Sequence, residues 1–396
     1  MKKVIYLDNA ATTKVRPEVV EAMLPYYTEY YGNPSSVYEF STPCKKAMAH
    51  TREVIANALG AKTEEIYFTN GGTESDNWAL KAAAEAYASK GKHIITTTIE
   101  HHAILHTAEY LEKNGYEVTY VPVDENGAVD LEALKNAIRP DTILISVMFA
   151  NNEIGTIQPV KEIGEIAKED GILFHTDAVQ AFGQVAINVD EYNIDMLSAS
   201  GHKLNGPKGI GFLYIRKGLK LRSFVHGGAQ ERKRRAGTEN VPGIIGLGAA
   251  TARAMRTLEE RTTKEIELRD YVYGDIHDRV YILYGLRRTG KTTLIRQLIS
   301  EMDASMRSKA VFIQIQDSKT LDDVNQDLKV LEEKGYRYVF IDEVTLLNDF
   351  IEGAALFSDV FAASGMKIVL SGTDSLGFMF TEDEELYDRC IMCHTT

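Results

Sequence analysis

The stretch DMLSASGHKLNGPKGIGFLYI, Asp195 to Ile215, contains two short apolar runs that enclose a polar turn rich in glycine. Runs of this length, bounded by Gly and Pro, predict buried β-strands with a turn between them. Lys203 lies in the turn beside His202, among small residues that leave its amine accessible. A lysine presented in this way is suited to form a Schiff base, if its neighbours partly desolvate the amine and hold a carbonyl compound.

The same alternation of short apolar runs and longer helical segments extends up to about Tyr271. The runs HIITTTI, TILISVMFA and GILFHTDA predict further strands, whereas VEAMLPYYTEYY, DNWALKAAAEAYASK and LEALKNAI predict helices. Such an alternation predicts an α/β fold in which helices cover both faces of a mostly parallel or mixed sheet. Ligands bind such sheets at the carboxyl ends of the strands, so we expect the functional residues there.

The composition is that of a chain that folds and binds small molecules. Of its 396 residues, 44% are hydrophobic and 26% are charged, and the length predicts two domains. The formal net charge of −13 disfavours nucleic acid and anionic membranes as partners, because their phosphates would repel the chain.

The sequence also predicts a cytoplasmic location. No apolar run approaches the roughly 20 residues that span a bilayer, and Asp8 precedes any signal-peptide core. The three cysteines are too few for a disulfide framework, which fits a reducing compartment.

A second, smaller α/β pattern follows a charged helical stretch at 251–272, which we interpret as a connecting helix. The apolar runs VYILYG, VFIQI, YRYVFID and KIVLSG predict its strands. No Pro- or Gly-rich linker separates the two α/β patterns. The boundary between the two domains is therefore predicted only to within about ten residues. We predict one domain over residues 1–274 and a second over residues 275–396.

Three further segments supply what a cofactor bound to Lys203 would require. Asp177 and Gln180 follow a predicted strand, where a carboxylate and an amide could bond the polar edge of a pyridine ring. Gly72 and Thr73 belong to a turn entering a helix, where backbone N–H groups and a hydroxyl can bind phosphate. His101 ends another strand and can stack on a flat ring. Each signal is weak alone, but their combination predicts pyridoxal 5′-phosphate.

Seven motifs in order resemble the large domain of the cysteine desulfurases in the class V aminotransferase group. They are YLDNAATT (Tyr6–Thr13), NGGTESDN (Asn70–Asn77), EHHA (Glu100–Ala103), ANNEIGTIQP (Ala150–Pro159), HTDAVQ (His175–Gln180), SGHKLNGPKGIG (Ser200–Gly211) and RRAGTENV (Arg234–Val241). The resemblance covers about residues 1–272. It implies a fold-type I transferase domain with a mixed, mostly parallel seven-stranded sheet, and a homodimer.

The resemblance also implies roles for the matching residues. Lys203 would carry the cofactor and move the Cα proton, Asp177 would hold the pyridine nitrogen, and His101 would stack on the ring. The remaining cofactor and substrate residues would be Gly72, Thr73, Asn152, Gln180, Ser200, His202 and, for the phosphate of a partner subunit, Thr238. In the family, a cysteine thiolate takes sulfur from L-cysteine as a persulfide and releases alanine, which implies a sulfur-acceptor protein and iron–sulfur cluster assembly.

The sequence departs from the family pattern after LRDYV. The family's nucleophilic cysteine, and the arginine that binds the substrate carboxylate, belong to a small domain that is not found here. Cys44 has the pattern of an ordinary helix position, and we do not expect it to replace that nucleophile. Proton removal at Cα needs only Lys203 and the cofactor, so transamination, racemisation and β-elimination stay open beside sulfur transfer.

GLRRTGKT, Gly285 to Thr292, matches the phosphate-binding pattern G-x-x-x-x-G-K-[ST] between a predicted strand and a predicted helix. Asp342 and Glu343 come at the end of a later apolar strand. There, Asp342 is suited to bind Mg²⁺, and Glu343 is suited to act as the base that orients the attacking water. The predicted ATP site consists of Gly285, Gly290, Lys291, Thr292, Thr293 and Asp342, with Thr292 and Asp342 holding Mg²⁺.

Residues 278–396 resemble prokaryotic AAA-like P-loop ATPases. The resemblance breaks off soon after the predicted γ-phosphate sensor strand, so we expect an incomplete domain in which Arg389 is a weak candidate for an arginine finger. CIMCH, Cys390–His394, formally matches a haem-attachment motif, but its acidic surroundings favour coincidence.

Three hypotheses follow from the sequence. The first is a pyridoxal-phosphate enzyme of the cysteine desulfurase type fused to an ATP-binding module. The second is a nucleotide-binding ATPase that uses the first domain as a dimerisation platform. In the third, the chain is an inactive, truncated fusion that binds both ligands.

Overall fold

The computed structural model describes residues 8–274, 280–284, 291–315, 320–347, 365–372 and 390–394. The chain divides into two compact units, one of which spans Ala10–Thr262. The other contains Thr263–Thr396 together with Met1–Asn9. Within the described part of the chain, no helix combines the length and the apolar character that crossing a membrane requires.

The larger unit is built from seven strands, with helices before, between and after them. The strands are β1 (Ile66–Thr69), β2 (His93–Thr97), β3 (Glu117–Val121), β4 (Thr142–Ser146), β5 (Leu173–Asp177), β6 (Met196–Ser200) and β7 (Gly211–Ile215). The helices are α1 (Pro17–Met23), α2 (Pro25–Thr28), α3 (Thr42–Leu59), α4 (Gly72–Tyr87), α5 (His102–Lys113), α6 (Leu131–Ala137), α7 (Val160–Glu169), α8 (Gln230–Lys233) and α9 (Val241–Arg256).

The seven strands form one mixed sheet in the order β1-β7-β6-β5-β4-β2-β3. Only β7 runs against its neighbours, pairing antiparallel with both β1 and β6, and the other pairs are parallel. The α/β fold with a mostly parallel seven-stranded sheet is thereby confirmed. The carboxyl ends of β1, β2, β4, β5 and β6 consequently lie along one edge of the sheet.

Two apolar layers cover the faces of this sheet. One contains Trp78 and the alanines of α4, and the other contains residues of α3, α7 and α9. Because side chains alternate along a strand, every second residue of β5 and β6 faces α4. On that face, β5 presents Leu173, His175 and Asp177, so its character changes from apolar to polar toward the carboxyl edge.

The predicted helices differ from the observed ones in two places. The segment VEAMLPYYTEYY forms two helices, because Pro25 starts a new helix immediately after Leu24. The charged stretch 251–272 is also interrupted, at Thr257, between α9 and α10 (Leu258–Gly274).

The smaller unit contains a parallel sheet of five strands in the order β12-β8-β11-β10-β9. Its strands are β8 (Val280–Tyr284), β9 (Ala310–Gln314), β10 (Tyr338–Asp342), β11 (Lys367–Gly372) and β12 (Cys390–His394). Its described helices are α11 (Lys291–Glu301), α12 (Ala304–Arg307) and α13 (Leu321–Glu333). The CIMCH segment is thus a strand of this sheet, paired with β8.

A close backbone contact fixes the turn after β1 against the sheet. A Cβ atom on Gly211 would lie 2.3 Å from the Ala199 carbonyl oxygen and 2.7 Å from Gly71 Cα. No side chain fits in that space, so β7 can approach β6 and the 70–72 turn closely only because residue 211 is glycine.

We predict that Gly211→Ala lowers the free energy of unfolding of this unit by about 1–3 kcal/mol, because the added methyl group overlaps two backbones. Urea titration followed by the fluorescence of Trp78 measures this, since Trp78 is the chain's single tryptophan and is fully buried. Gly228→Ala is the control, because Gly228 is exposed, its φ is not positive, and its Cβ would meet only the end of the flexible Gln230 side chain. An unchanged urea midpoint for Gly211→Ala would contradict the close contact.

Candidate active site and nucleotide site

The lysine turn follows β6 directly. Lys203 is the last residue of a 3-10 helix (Gly201–Lys203), and its Nζ donates to the carbonyl oxygens of Ala10 and of Ala11, the latter at 3.1 Å. Thr13 binds the same turn through its backbone N–H and its hydroxyl, both of which donate to His202 O, at 2.9 and 2.7 Å. The segment 10–13 therefore holds the lysine turn in place.

A groove of about 810 Å³ opens beside this turn at the N-terminus of α4. Its lining residues are Thr12, Asn70, Gly71, Gly72, Thr73, Glu74, Asn77, Ser200, His202, Lys208, Gly209 and Phe224. Gly71 precedes the helix with φ 140°, a conformation that favours glycine. The first backbone N–H groups of a helix have no partner within the helix, so they can bind an anion here.

One ion pair closes the rim of the groove. Glu74, in the first turn of α4, accepts two hydrogen bonds from Arg235, at 2.7 and 3.0 Å. Both side chains are 15% exposed. Arg235 thus neutralises the charge of Glu74, which would otherwise repel an anion bound at the N-terminus of α4.

Asp177 ends β5, the central strand, and is 5% exposed. Its Oδ1 accepts from Val179 N at 2.9 Å. Burial raises the pKa of Asp177 to about 6, and the hydrogen bond from Val179 and the charge of Lys203 oppose that increase. Gln180 lies one turn further on, and its Nε2 donates to Ala10 O at 2.9 Å, the oxygen that Lys203 also contacts.

His101 is the N-cap of α5, and its Nδ1 accepts from Ala103 N at 3.1 Å. Partial burial, the neighbouring His102 and the charge of Lys203 lower the pKa of His101. A neutral ring with Nδ1 as an acceptor is therefore favoured at this position. Burial and nearby lysines lower the pKa of His202 in the same way.

The structure does not bring every predicted residue into this group. Of the predicted residues, Gly72, Thr73, Ser200 and His202 line the groove, whereas Lys203, His101, Asp177 and Gln180 lie at the same edge of the sheet without lining it. Asn152 lies in the turn after β4 and Thr238 is exposed in a loop, and neither of them lines the groove. Sequence reasoning missed Asn151, which holds that turn by donating to Ile99 O at 3.0 Å and accepting from Glu153 N at 2.8 Å. The sequence signal for Asn151 was its position beside Asn152 in the ANNEIGTIQP motif.

The residues around the groove fit pyridoxal phosphate. The glycine turn and helix start suit a phosphate, with Thr73, Ser200 and His202 beside them. The amine of Lys203 and the buried carboxylate of Asp177 are the groups that an aldehyde and a pyridine nitrogen require.

Cys44 lies in α3 and is fully buried. Its Sγ donates to Tyr30 O at 2.9 Å, and burial raises the pKa of the thiol. A buried thiol with a raised pKa is a poor nucleophile, because the thiolate is the reactive form. This agrees with the expectation that Cys44 is an ordinary helix position.

In the smaller unit, the described residues of the predicted nucleotide site meet at the carboxyl edge of the sheet. Asp342 ends β10, and its Oδ2 accepts from Thr292 Oγ1 at 2.5 Å, while its Oδ1 accepts from Ser371 Oγ at 2.6 Å. Glu343 follows with φ 58°, a left-handed conformation that is uncommon for glutamate.

The rest of the predicted nucleotide site is described only in part. Gly285, Gly290 and Arg389 lie outside the described residues, as do the side chains of Lys291 and Thr293. The predicted context of the motif is present, because β8 precedes it and α11 begins at Lys291.

Two families match the sequence. The profile of the aminotransferase class-V family matches residues 5–306, and that of an AAA domain matches residues 277–395. A cysteine desulfurase IscS of Methanosarcina thermophila is 65% identical over 268 residues, which cover 68% of this chain and 66% of that protein. A cysteine desulfurase IscS of Clostridium botulinum is 57% identical over 280 residues, which cover 71% of this chain and 70% of that protein. The chain thus spans about two thirds of the length of the curated relatives it matches.

Solved structures agree with these matches. A NifS-like protein superposes with a TM-score of 0.67 at 44% identity, covering 69% of this chain and 75% of that one. A structure described as SspA in complex with cysteine superposes with a TM-score of 0.61 at 42% identity, and the match covers 66% of this chain and 78% of that one. By these matches, the chain belongs to the aminotransferase class-V family and, within it, to the cysteine desulfurases.

Proposed function

We propose that the larger unit binds pyridoxal phosphate and acts on L-cysteine in the manner of a cysteine desulfurase. The observation that carries this proposal is the convergence of Lys203, Asp177 and the N-terminus of α4 at one edge of the sheet. The cysteine bound in the related SspA structure supports the substrate. The domain limits of 1–274 and 275–396, the homodimer and a role in iron–sulfur cluster assembly are part of the same proposal.

Each residue of the site has a task under this proposal. Bound pyridoxal phosphate supplies an electron sink for the bonds at the substrate Cα. Lys203 holds and moves the Cα proton, Asp177 keeps the ring nitrogen protonated, and Gln180 bonds the ring oxygen. His101, neutral because of its lowered pKa, covers one ring face. Thr73, Ser200 and His202 would hold the phosphate group, together with Thr238 of a second subunit, and Asn152 would contact the substrate.

Sulfur transfer requires a thiol acceptor. An acceptor thiolate attacks the substrate sulfur, the Cβ–S bond breaks, and alanine and a persulfide result; a second thiol then reduces the persulfide to sulfide and forms a disulfide. Cys44 is too deeply buried to be this acceptor. We therefore propose that the acceptor is a thiol other than Cys44, such as a thiol of a partner protein or an added thiol.

We predict that the purified protein with pyridoxal phosphate has a visible absorbance band that Lys203→Ala abolishes, because the covalent attachment is lost. Absorbance spectroscopy of both proteins measures this. Lys217→Ala is the matched control, since Lys217 is exposed and pairs with Glu64. Retention of the band in Lys203→Ala would reject Lys203 as the attachment site.

The substrate is tested on the same samples with L-cysteine and an excess of dithiothreitol. Equal amounts of alanine and sulfide are expected from the unsubstituted protein and from Lys217→Ala. A bound cofactor without alanine or sulfide would contradict the desulfurase activity.

A second candidate function belongs to the smaller unit. We infer that it binds ATP with Mg²⁺, and the contact between Thr292 and Asp342 favours this. Thr292 is the last residue of the G-x-x-x-x-G-K-[ST] segment and Asp342 ends a parallel strand, and a hydroxyl and a carboxylate in contact at this edge of the sheet suit the ligands of Mg²⁺. Thr292 and Asp342 would hold the ion, and Glu343 would orient the attacking water.

We predict that Glu343→Gln preserves ATP binding and lowers ATP hydrolysis about 100-fold or more, because the base is lost and the shape is kept. Fluorescent-nucleotide titration and phosphate release measure the two properties. Glu333→Gln, at an exposed position of α13, is the control. Hydrolysis at the unsubstituted rate in Glu343→Gln would reject Glu343 as the base.

A further inference from the structure

Two buried acids lie behind Asp177, and the proposed function does not use them. Asp76 lies on the buried face of α4 and Glu100 in the loop after β2, with side chains that are 1% and 5% exposed. Among the described residues, no lysine or arginine forms an ion pair with either of them. Burial of an unpaired carboxylate is costly, so an acid on the core face of a helix requires a specific explanation.

Asp76 belongs to a hydrogen-bonded network with β5 and β6. Its Oδ1 lies 3.8 Å from His175 Nε2, and Ser198 hydrogen-bonds the carboxyl group. Ser198 Oγ also lies 3.0 Å from His175 Nε2, and Ser146 Oγ lies 2.9 Å from Nδ1. Both ring nitrogens of His175 thus have hydroxyl partners, which suits a neutral imidazole. Burial accordingly lowers the pKa of His175 to about 3.

The titratable groups that face Asp76 are His175 and Asp177 on β5 and Glu100 in the loop after β2. Burial, and then the charge of Asp177, raises the pKa of Asp76 well above its ordinary value. Burial raises the pKa of Glu100 to about 8, although Thr97 Oγ1 and Met148 N donate to its Oε1. Asp76 lies 3.8 Å from His175, and Asp177 is two residues further along the same face of β5, so a charge on Asp76 would lie near the charge of Asp177. Neighbouring buried carboxyl groups are not all ionised at once.

The positive charge of Lys203 determines which of the three carboxyl groups is ionised. Lys203 lowers the pKa of Asp177, whereas His175 is neutral and provides Asp76 with no positive charge. Asp76 Oδ1 has no hydrogen-bond partner among the described residues, and neither does Glu100 Oε2. The negative charge is therefore best placed on Asp177, at the edge nearest the lysine.

We propose that Asp76 is a positioning residue that holds a proton behind the cofactor site, and thereby leaves Asp177 as the ionised member of the pair. The inference rests on the proposed function, in which the Asp177 carboxylate faces the ring nitrogen of pyridoxal phosphate. A neutral Asp76 spares Asp177 the repulsion of a second buried charge, and burial outweighs the opposing effect of Ser198, which lowers the pKa of Asp76.

The test is infrared spectroscopy of the full chain at neutral pH, with and without pyridoxal phosphate. The carbonyl absorption of protonated carboxyl groups should be present, and Asp76→Asn should remove one component of it. Glu100→Gln should remove a second component, and Asp177→Asn should remove none. Asp141→Asn is the matched control, because Arg139 donates to both carboxylate oxygens of Asp141, at 2.9 and 2.8 Å, and thereby lowers the pKa of Asp141, so that this acid is expected to be ionised.

Two outcomes of the infrared experiment overturn the inference. If the complete absorption survives in Asp76→Asn, Asp76 is ionised. If a component disappears in Asp177→Asn instead, the proton is on Asp177. Should Asp76→Asn fail to fold, Ser198→Ala replaces it, because loss of that hydrogen bond should shift the Asp76 component in frequency, and an unshifted spectrum contradicts the network.

The effect on the cofactor is measured by ¹⁵N NMR of pyridoxal phosphate labelled at the ring nitrogen. Asp76→Asn is neutral like the proposed acid, so the ring nitrogen should stay protonated at neutral pH as in the unsubstituted protein. A shift of its titration by about one pH unit would mean that Asp76 had carried a charge, and would overturn the inference.

Two results would contradict the proposed function without contradicting this inference. If Asp177→Asn left the ring-nitrogen signal unchanged, or if pyridoxal phosphate did not bind, the assignment of Asp177 to the ring nitrogen would fall. The infrared result on the cofactor-free chain would still decide whether Asp76 holds the proton.

Discussion

The charge of one buried carboxylate, that of Asp177, constrains the architecture of the larger unit. A carboxylate that is 5% exposed is stable only where hydrogen bonds and positive charge offset its desolvation. Val179 N supplies a hydrogen bond, and Lys203 supplies charge from the end of the neighbouring strand. Both groups are available because β5 and β6 are adjacent and parallel, so that the turns after them meet.

The lysine depends in turn on a remote part of the chain. Lys203 Nζ and Gln180 Nε2 both donate to Ala10 O, and Thr13 binds the turn that carries the lysine. Segments almost 200 residues apart in sequence therefore form one site. The described part of the YLDNAATT motif contributes two kinds of group to the site. The carbonyl oxygens of Ala10 and Ala11 could come from any residue type, whereas the hydroxyl groups of Thr12 and Thr13, which contact His202, could not.

The smaller unit also has a buried carboxylate at the end of a parallel strand, with hydroxyl groups beside it. Asp342 is the last residue of a buried parallel strand, as Asp177 is, and two hydroxyl groups from neighbouring elements donate to it. Parallel strands bring the ends of successive strands to one edge, and this makes the edge a site for polar ligands in both units.

The sequence determined most of the strands, the lysine turn, the helix N-terminus and the strand-end acids, because each depends on local periodicity or on a short motif. It did not indicate β1 and β3, since IYFT is only four residues long and EVTYV is a half-exposed edge strand. Nor could it show that Asp76, His175 and Asp177 share one buried face, or that Arg235 neutralises Glu74. Only the tertiary structure decided these, because the pKa of a carboxyl group depends on the groups packed around it, and those come from distant parts of the chain.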